Sequence, residues 1–207
     1  MTVQVSKITK RFGSTVAIRD LSIRFPTEGT VAIMGPSGCG KTTLLQILAG
    51  LQHPNQGTVQ CTAHSSAYVF QEPRLLPWRT VADNIRLARS RKNSPSRSVE
   101  QWLEAVGLPD CAGRYPDELS GGMKQRVAIA RALYCDTDLL LMDEPFRGLD
   151  KAMREQIMDL VRRERSTPNR LTLLVTHDRS EAMALADSIL LFSSAPASDY
   201  TWESIPH

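Results

Sequence analysis

The sequence predicts an α/β protein built on a mixed, largely parallel sheet with an inserted helical subdomain. Apolar runs of strand length recur along the chain, a glycine-rich loop separates one of them from a helix, and no strand pattern occurs between about residues 72 and 137. Unbroken apolar runs suit strands that are covered on both faces, as the strands of parallel sheets are. We therefore expect a single domain over residues 1–207, with the helical subdomain at about 72–137 and a loosely ordered tail at 193–207.

Composition limits the class of protein. The net charge of +3 is too small to indicate a nucleic-acid partner, and the apolar fraction of 42% is typical of globular proteins. No apolar run approaches the ~20 residues of a membrane-spanning helix, and the first 25 residues contain no signal-peptide core. The cysteines lack metal-ligand spacing and are interpreted as reduced thiols.

The first predicted elements are two strands and a helix. Residues 21–25 alternate polar and apolar side chains, which indicates a half-buried strand, and residues 30–34 form an apolar strand after a turn. Residues 42–49 are apolar on nearly every side and predict a buried helix that ends near Gly50. A strand, a glycine loop and a buried helix in succession are the expected setting of a phosphate-binding loop.

Helices and strands then alternate along the rest of the chain. Ser98 and Gln101 form a capping-box start for a helix that Gly107 closes, and another helix begins at Ser120. The later elements are strands at 139–142, 171–175 and 188–192, an amphipathic helix from Lys151 to Arg165, and a helix that opens at Asp178.

The loop that begins at Gly35 matches the pattern G-x-x-x-x-G-K-[ST] in full. Its glycines allow several backbone N–H groups to face one point, and the following helix adds its positive end. Lys41 would bring a positive charge to the β/γ-phosphates, and two unit charges 4 Å apart attract by ~4 kcal/mol at an intermediate dielectric. Thr42 offers a hydroxyl to Mg²⁺. A bulky thiol reagent on Cys39 is expected to block nucleotide binding. The predicted nucleotide-binding residues here are Gly35, Pro36, Ser37, Gly38, Cys39, Gly40, Lys41, Thr42 and Thr43.

Asp143 and Glu144 directly follow the apolar run at 139–142. A strand there would deliver both carboxylates to the crevice at its carboxyl end. We expect Asp143 to hold Mg²⁺ through water and Glu144 to polarise the attacking water as general base, a role worth roughly 10²–10⁴-fold. Taken alone, the pair also fits an exposed acidic surface.

A second anion-binding element begins at Ser120. Ser120, Gly121 and Gly122 lie at a predicted helix N-terminus, about 80 residues after Lys41. In a monomer, one of the two phosphate-binding elements, the loop at Gly35 or the helix start at Ser120, would be redundant. A plain helix cap would also explain these three residues taken alone.

The motifs, in this order and together with Gln71 and His177, resemble the ATP-binding subunits of ABC transporters over about residues 3–192. The resemblance implies a P-loop NTPase fold with a small N-terminal antiparallel β-subdomain. It implies that Ser120, Gly121 and Gly122 close over the γ-phosphate bound by the other subunit of a head-to-tail dimer. It also assigns Asp150 to the loop that crosses the dimer interface.

The same resemblance assigns roles to three further residues. Gln71 touches the Mg²⁺ and water site and senses the membrane partner, His177 contacts the γ-phosphate and the attacking water, and Phe12 stacks on the adenine. Taken alone, Phe12 also fits a packing role and His177 a surface or core role. The implied cofactors are ATP and Mg²⁺, and the implied catalytic residues are Glu144, His177 and Gln71.

Residues 70–81 look like the corresponding segment of importers for nitrate, sulfonate and taurine, and of relatives serving thiamine precursors. The resemblance implies a homodimer, or a heterodimer with a similar cassette, bound peripherally to integral-membrane permease subunits at the cytoplasmic face of the cell membrane. An extracytoplasmic solute-binding protein would complete the system. The expected function is ATP hydrolysis that energises the import of a small solute through ATP-driven dimer closure.

The chain departs from the family pattern in two places. The stretch between Gly50 and Gln71 is shorter than usual, which predicts a trimmed antiparallel β-subdomain. Arg147-Gly148 replaces the usual Ser-Ala pair, and a long cation there is expected to alter dimer closure or to slow hydrolysis.

Three alternatives remain open at this point. The cassette could serve an exporter or a lipoprotein-release system, and a neighbouring gene for a solute-binding protein would favour import instead. It could act outside transport, on ribosomes or DNA, although it shows neither a tandem cassette nor a long coiled-coil insertion. It could also bind ATP without hydrolysing it, against which Lys41, Asp143, Glu144 and His177 argue.

Overall fold

The computed structural model describes residues 1–88, 97–164 and 170–206. The strands in these ranges are β1 (Val3–Phe12), β2 (Thr15–Arg24), β3 (Gly29–Met34), β4 (Gln56–Cys61), β5 (Ser66–Val69), β6 (Leu139–Asp143), β7 (Leu171–Val175), β8 (Ser188–Phe192) and β9 (Tyr200–Ser204). The helices are α1 (Lys41–Leu48), α2 (Val81–Arg86), α3 (Val99–Ala105), α4 (Gly121–Tyr134), α5 (Lys151–Glu164) and α6 (Arg179–Leu185), with 3₁₀ turns at Pro109–Cys111 and Pro116–Glu118.

The main sheet has the strand order β5-β6-β7-β3-β8-β9, in which all neighbours are parallel except β8 and β9. Alternate side chains of β6 point to opposite faces, as the pleat requires. Leu139 and Leu141 join a core that includes α1, whereas Leu140 and Met142 join a core that includes α2, α3 and α4. Both faces are covered, and the predicted fold class is confirmed.

A second, antiparallel sheet has the order β2-β1-β4. It is the small β-subdomain that the family resemblance implied. The apolar side chains of β1 and β2 pack into the same core as α1, so this sheet lies beside the glycine loop.

The helix starts follow the sequence signals. Ser98 Oγ accepts a hydrogen bond from the Gln101 N–H at 3.2 Å, and Gln101 Oε1 accepts one from the Ser98 N–H at 2.8 Å, which completes the predicted capping box. Ser120 caps α4 by accepting from the Met123 N–H at 3.3 Å. The predicted end of the amphipathic helix at Arg165 lies outside the described residues.

The expectation of a loosely ordered tail is wrong for Tyr200–Ser204, which forms β9 along the edge of β8. The aromatic rings explain this order, because Trp202 packs edge-on against Phe25 and Tyr200 packs edge-on against Phe192, each pair with ring centroids 6.3 Å apart. Ile205 is buried beyond the strand. The polar composition of this segment led to the wrong prediction, because β9 is a strand that pairs with the edge of β8. His207 lies outside the described residues.

Across the three described ranges, none of the helices has the length and apolar character needed to cross a bilayer.

Candidate functional site

The glycine loop joins β3 to α1, and two of its glycines are required by close packing. A Cβ on Gly40 would lie 2.4 Å from the Ala17 carbonyl oxygen, and a Cβ on Gly35 would lie 2.8 Å from the Phe192 Cβ. Both residues also have positive φ angles, 102° and 145°, which L side chains rarely adopt. The loop can follow this path only because these positions lack side chains.

Lys41 lies at the first position of α1 and is largely buried within the loop. Its Nζ donates to the carbonyl oxygens of Gly35 and Pro36, each at 2.8 Å. These two bonds fold the side chain back over the loop and hold the ammonium group beside it. The loop therefore presents a fixed positive charge next to the N-terminus of a helix.

A cavity of about 440 Å³ opens beside this loop. Its lining residues come from β1, β2, the glycine loop, α1, the ends of β6 and β7, and the segment after β5. The predicted site residues that line it are Phe12, Gly35, Ser37, Gly38, Gly40, Lys41, Thr42, Thr43, Gln71, Glu144 and His177, and the sequence analysis had not placed Ala17, Arg147 and Val175 there.

Other predicted residues do not line the cavity. Pro36 and Cys39 belong to the loop, but the Cys39 side chain is 0% exposed and packs into the core under α1. The idea that a thiol reagent on Cys39 blocks binding therefore needs correction, because a reagent could reach this sulfur only by opening the core. Ser120, Gly121, Gly122 and Asp150 also lie away from the cavity lining.

Asp143, at the end of β6, is almost completely buried and meets two hydroxyl groups. Thr42 Oγ1 donates to its Oδ1 at 3.1 Å, and the Tyr68 hydroxyl donates to its Oδ2 at 3.4 Å. Burial raises the pKa of Asp143 above its ordinary value, while the hydrogen bond from Thr42 opposes the rise. Carboxylate and hydroxyl oxygens are the donors that Mg²⁺ prefers, usually together with substrate phosphates and water. The Thr42–Asp143 pair therefore fits that ion.

Within the described ranges, no group of three or more His, Cys, Asp or Glu side chains could hold a metal ion. This arrangement fits an ion held by one or two carboxylates and a substrate, rather than a cage made by protein alone.

Glu144 follows Asp143 and has a φ angle of 44°, which is uncommon for a residue with a side chain. Its N–H donates to the Val175 carbonyl oxygen at 2.9 Å, so the end of β7 supports the unusual turn. Strained backbone of this kind persists where the surrounding structure holds it, often at functional sites. The turn aims the carboxylate into the cavity.

Three side chains surround the Glu144 carboxylate. Gln71 Nε2 donates to Oε2 at 3.3 Å, and His177 Nδ1 lies 3.5 Å from Oε1. Arg147 Nη1 also lies 3.5 Å from Oε2, with 62% of its side chain exposed. Gln71, Glu144 and His177, which the sequence analysis treated as a catalytic set, are therefore neighbours in space, and Arg147 joins them.

The signature segment, which comprises Ser120, Gly121 and Gly122, lies against the loop that contains Asp150. A Cβ on Gly122 would lie 3.5 Å from both the Gly148 carbonyl oxygen and Leu149 Cδ2. Gln125, farther along α4, donates from Nε2 to the buried Pro145 carbonyl oxygen at 2.9 Å. Asp150 itself accepts from the Met153 N–H at 2.9 Å at the start of α5.

Sequence reasoning missed Tyr68, Gln125 and Arg154 as residues near the site. Gln125 lies three positions after Gly122, and Tyr68 lies three positions before Gln71. The partner of Gln125 is 20 residues away along the chain and the partner of Tyr68 is 75 residues away, so no local pattern could have indicated these contacts. Arg154 lies 3.5 Å from Asp178, which follows His177.

The fold and the loop together define a P-loop nucleotide-binding protein. The sequence pattern of the family described as ABC transporter matches residues 18–147, which is more than half of the chain. The chain belongs to the ABC transporter family.

Relatives and solved structures agree with this assignment. The chain is 44% identical over 188 residues to aliphatic sulfonates import ATP-binding protein SsuB 2 of Pseudomonas syringae pv. tomato, covering 90% of this chain and 80% of that protein. It is 40% identical over 211 residues to sulfate/thiosulfate import ATP-binding protein CysA of Ralstonia nicotianae, covering 93% of this chain but only 57% of that protein. The dimeric ATP-binding cassette MJ0796 bound to ADP and Pi superposes with a TM-score of 0.86 at 27% identity, over 99% of both chains.

Proposed function

We propose that this protein is the ATP-hydrolysing subunit of a membrane importer for a small solute. The observation that carries the proposal is the position of Glu144, which the end of β6 delivers into the same cavity as Lys41 and Thr42. A general base must lie within reach of the water that it activates, and this geometry satisfies that requirement. The names of both relatives, which are import ATP-binding proteins, support the direction of transport.

Each side chain at the cavity has a distinct task in this proposal. The loop N–H groups and Lys41 bind the phosphates, and Phe12, which is half exposed at the cavity rim, stacks on the adenine. Thr42 and Asp143 would hold Mg²⁺, which would neutralise charge on the terminal phosphates. Glu144 takes the proton of the attacking water while Gln71 and His177 hold its carboxylate in place.

The signature residues complete the site in a second copy of the chain or in a similar cassette. Ser120, Gly121 and Gly122 lie at the N-terminus of α4, where backbone N–H groups attract anions, yet they do not line their own chain's cavity. The similar cassette MJ0796 was solved as a dimer. We therefore assign them to the γ-phosphate bound by the partner, in a dimer that closes on two ATP molecules.

The proposed setting is peripheral, at the cytoplasmic face of the cell membrane, with permease subunits and an extracytoplasmic solute-binding protein. The solute class is sulfonate, sulfate, nitrate, taurine or a thiamine precursor. The sulfonate and sulfate classes have the support of the two relatives' names.

The test compares the wild-type protein with Glu144→Gln. Wild type is expected to release phosphate from Mg-ATP, whereas the variant retains ATP binding and loses at least roughly 10²-fold in kcat because the base is gone. Phosphate release and equilibrium binding of a fluorescent ATP analogue are measured together. Glu155→Gln is the control, because it makes the same change from carboxylate to amide at an exposed position on α5. Normal turnover by Glu144→Gln would exclude the proposed mechanism.

A further inference from the structure

Tyr68 has a position relative to Asp143 that follows from strand pairing. In the parallel pair of β5 and β6, Tyr68 lies opposite Leu141. Asp143 is two residues beyond Leu141 and therefore projects from the same face of the sheet. That face carries α1, and Thr42 of α1 reaches Asp143 from there. Tyr68 and Thr42 thus approach one carboxylate from two different elements.

The two hydroxyl groups donate to different oxygens of the Asp143 carboxylate. Thr42 Oγ1 bonds Oδ1 at 3.1 Å, and the Tyr68 hydroxyl bonds Oδ2 at 3.4 Å. Asp143 is only 2% exposed, so solvent hardly competes with these two hydroxyl groups. Each oxygen therefore has one fixed donor, which restricts rotation of the carboxylate about its terminal torsion.

The ring of Tyr68 is itself held in place. It stacks on Phe70 with ring centroids 4.2 Å apart and an interplanar angle of 23°. The Arg74 guanidinium lies over the Phe70 ring at 4.1 Å, and Arg131 donates to the Arg74 and Pro73 carbonyl oxygens at 3.0 and 2.9 Å. The Tyr68 hydroxyl is thus delivered by a rigid stack, at the base of the loop that contains Gln71.

We propose that Tyr68 is a positioning residue for Asp143 and, through it, sets the affinity of the site for the divalent cation that accompanies the nucleotide. The proposal rests on the proposed function, since it requires a metal–nucleotide complex at Thr42 and Asp143. Groups that hydrogen-bond a metal-binding carboxylate orient it, and their removal typically weakens metal binding by about 10–100-fold. Tyr68 acts here without touching the nucleotide or the ion.

The experiment uses Tyr68→Phe, which removes one oxygen and keeps the stacked ring. Binding of a fluorescent ATP analogue is titrated at increasing Mg²⁺, and again without divalent cation in EDTA. The half-saturating Mg²⁺ concentration is expected to rise by about tenfold or more, while metal-free nucleotide binding stays the same. In an Asp143→Ala background, Tyr68→Phe is expected to add no further shift, because the two residues act as one unit.

Tyr200→Phe is the matched control. It also removes one tyrosine hydroxyl, which donates to the Ser22 carbonyl oxygen at 2.9 Å, away from the cavity. A Mg²⁺ dependence of Tyr68→Phe within twofold of wild type, or an equal shift in Tyr200→Phe, would overturn the positioning role. Failure of the wild-type protein to bind the analogue with Mg²⁺ would instead overturn the proposed function, so the two failures are distinguishable.

Discussion

At the scale of single residues, the Glu144 carboxylate is held by contacts from three separate parts of the chain. A positive φ angle, a backbone bond from the end of β7 and three neighbouring side chains fix it in one orientation. Gln71 and His177 belong to loops that follow different strands of one sheet. In the proposed mechanism, these contacts orient the general base before the substrate arrives, which reduces the reorganisation needed during reaction.

Arg147, which the sequence analysis identified as an unexpected cation at this position, lies beside the Glu144 carboxylate in the structure. Its guanidinium competes for the Glu144 oxygen that also faces Gln71. An exposed pair of this kind is worth only about 0.2–1 kcal/mol, so its effect on the base is modest.

Replacement of Arg147 by alanine is therefore expected to raise kcat for ATP by about two- to fivefold, because one oxygen of the base is released. Steady-state phosphate release measures the effect, and Arg147→Lys should remain near wild type. Arg86→Ala is the control, since Arg86 also forms an exposed pair with an acid three positions away, Asp83, at 3.4 Å. A fall in kcat for Arg147→Ala would contradict this explanation and would indicate that the cation assists hydrolysis.

At the scale of elements, Arg154 joins the starts of α5 and α6. Its Nη2 donates to the Leu149 carbonyl oxygen at 3.3 Å, beside Asp150, and its Nη1 lies 3.5 Å from Asp178 Oδ2. Glu181, whose pKa burial raises, lies 3.9 Å from Nε. One side chain thus ties the Asp150 loop to the loop that carries His177.

Removal of this tie should misplace His177 without removing any group from the cavity. Arg154→Met, which keeps most of the side-chain length, is expected to lower kcat by roughly tenfold or more because small displacements of reacting groups are costly. Binding of a fluorescent ATP analogue should stay within about twofold of wild type, since the phosphate loop is untouched.

Arg163→Met provides the control on the same helix, because the Arg163 side chain is exposed to solvent. Equal losses of kcat in the two variants would show that α5 tolerates neither change, and would remove the argument for a specific tie between the loops.

At the scale of the whole molecule, the two anion-binding elements do not meet within one chain. The cavity gathers the phosphate loop with Glu144 and His177, whereas Gly121 is exposed at the start of α4. A Cβ added to Gly121 would meet no atom within 4 Å, so a larger residue fits there without disturbing the fold. This position can therefore test the proposed dimer without unfolding the monomer.

We expect Glu144→Gln protein to be monomeric alone and dimeric with Mg-ATP, as light scattering would show. Adding Gly121→Asp should keep the protein monomeric in both conditions, because a carboxylate would face the partner's phosphates. Gly121→Asn provides the uncharged control of similar size, and binding of a fluorescent ATP analogue verifies that the monomer still takes up nucleotide. An ATP-dependent dimer of the Gly121→Asp double variant would contradict the assignment of the signature to the partner's site.

The sequence alone determined the family, the α/β sheet and most element starts, because these depend on local spacing. The glycine pattern around Lys41, the apolar run before Asp143 and the caps at Ser98 and Ser120 are each contained within a few residues. Their physical causes are periodicity, capping and backbone freedom, which act over one turn or one strand.

Only the tertiary structure decided which side chains share a site and which do not. Tyr68 contacts Asp143, Arg147 contacts Glu144, and Trp202 packs on Phe25, while the Cys39 side chain lies in the core. These outcomes depend on strand register and on the packing of residues that are distant in sequence, so no local pattern contains them. Sequence spacing therefore defined the chemistry available to this protein, and packing defined how its carboxylates are held.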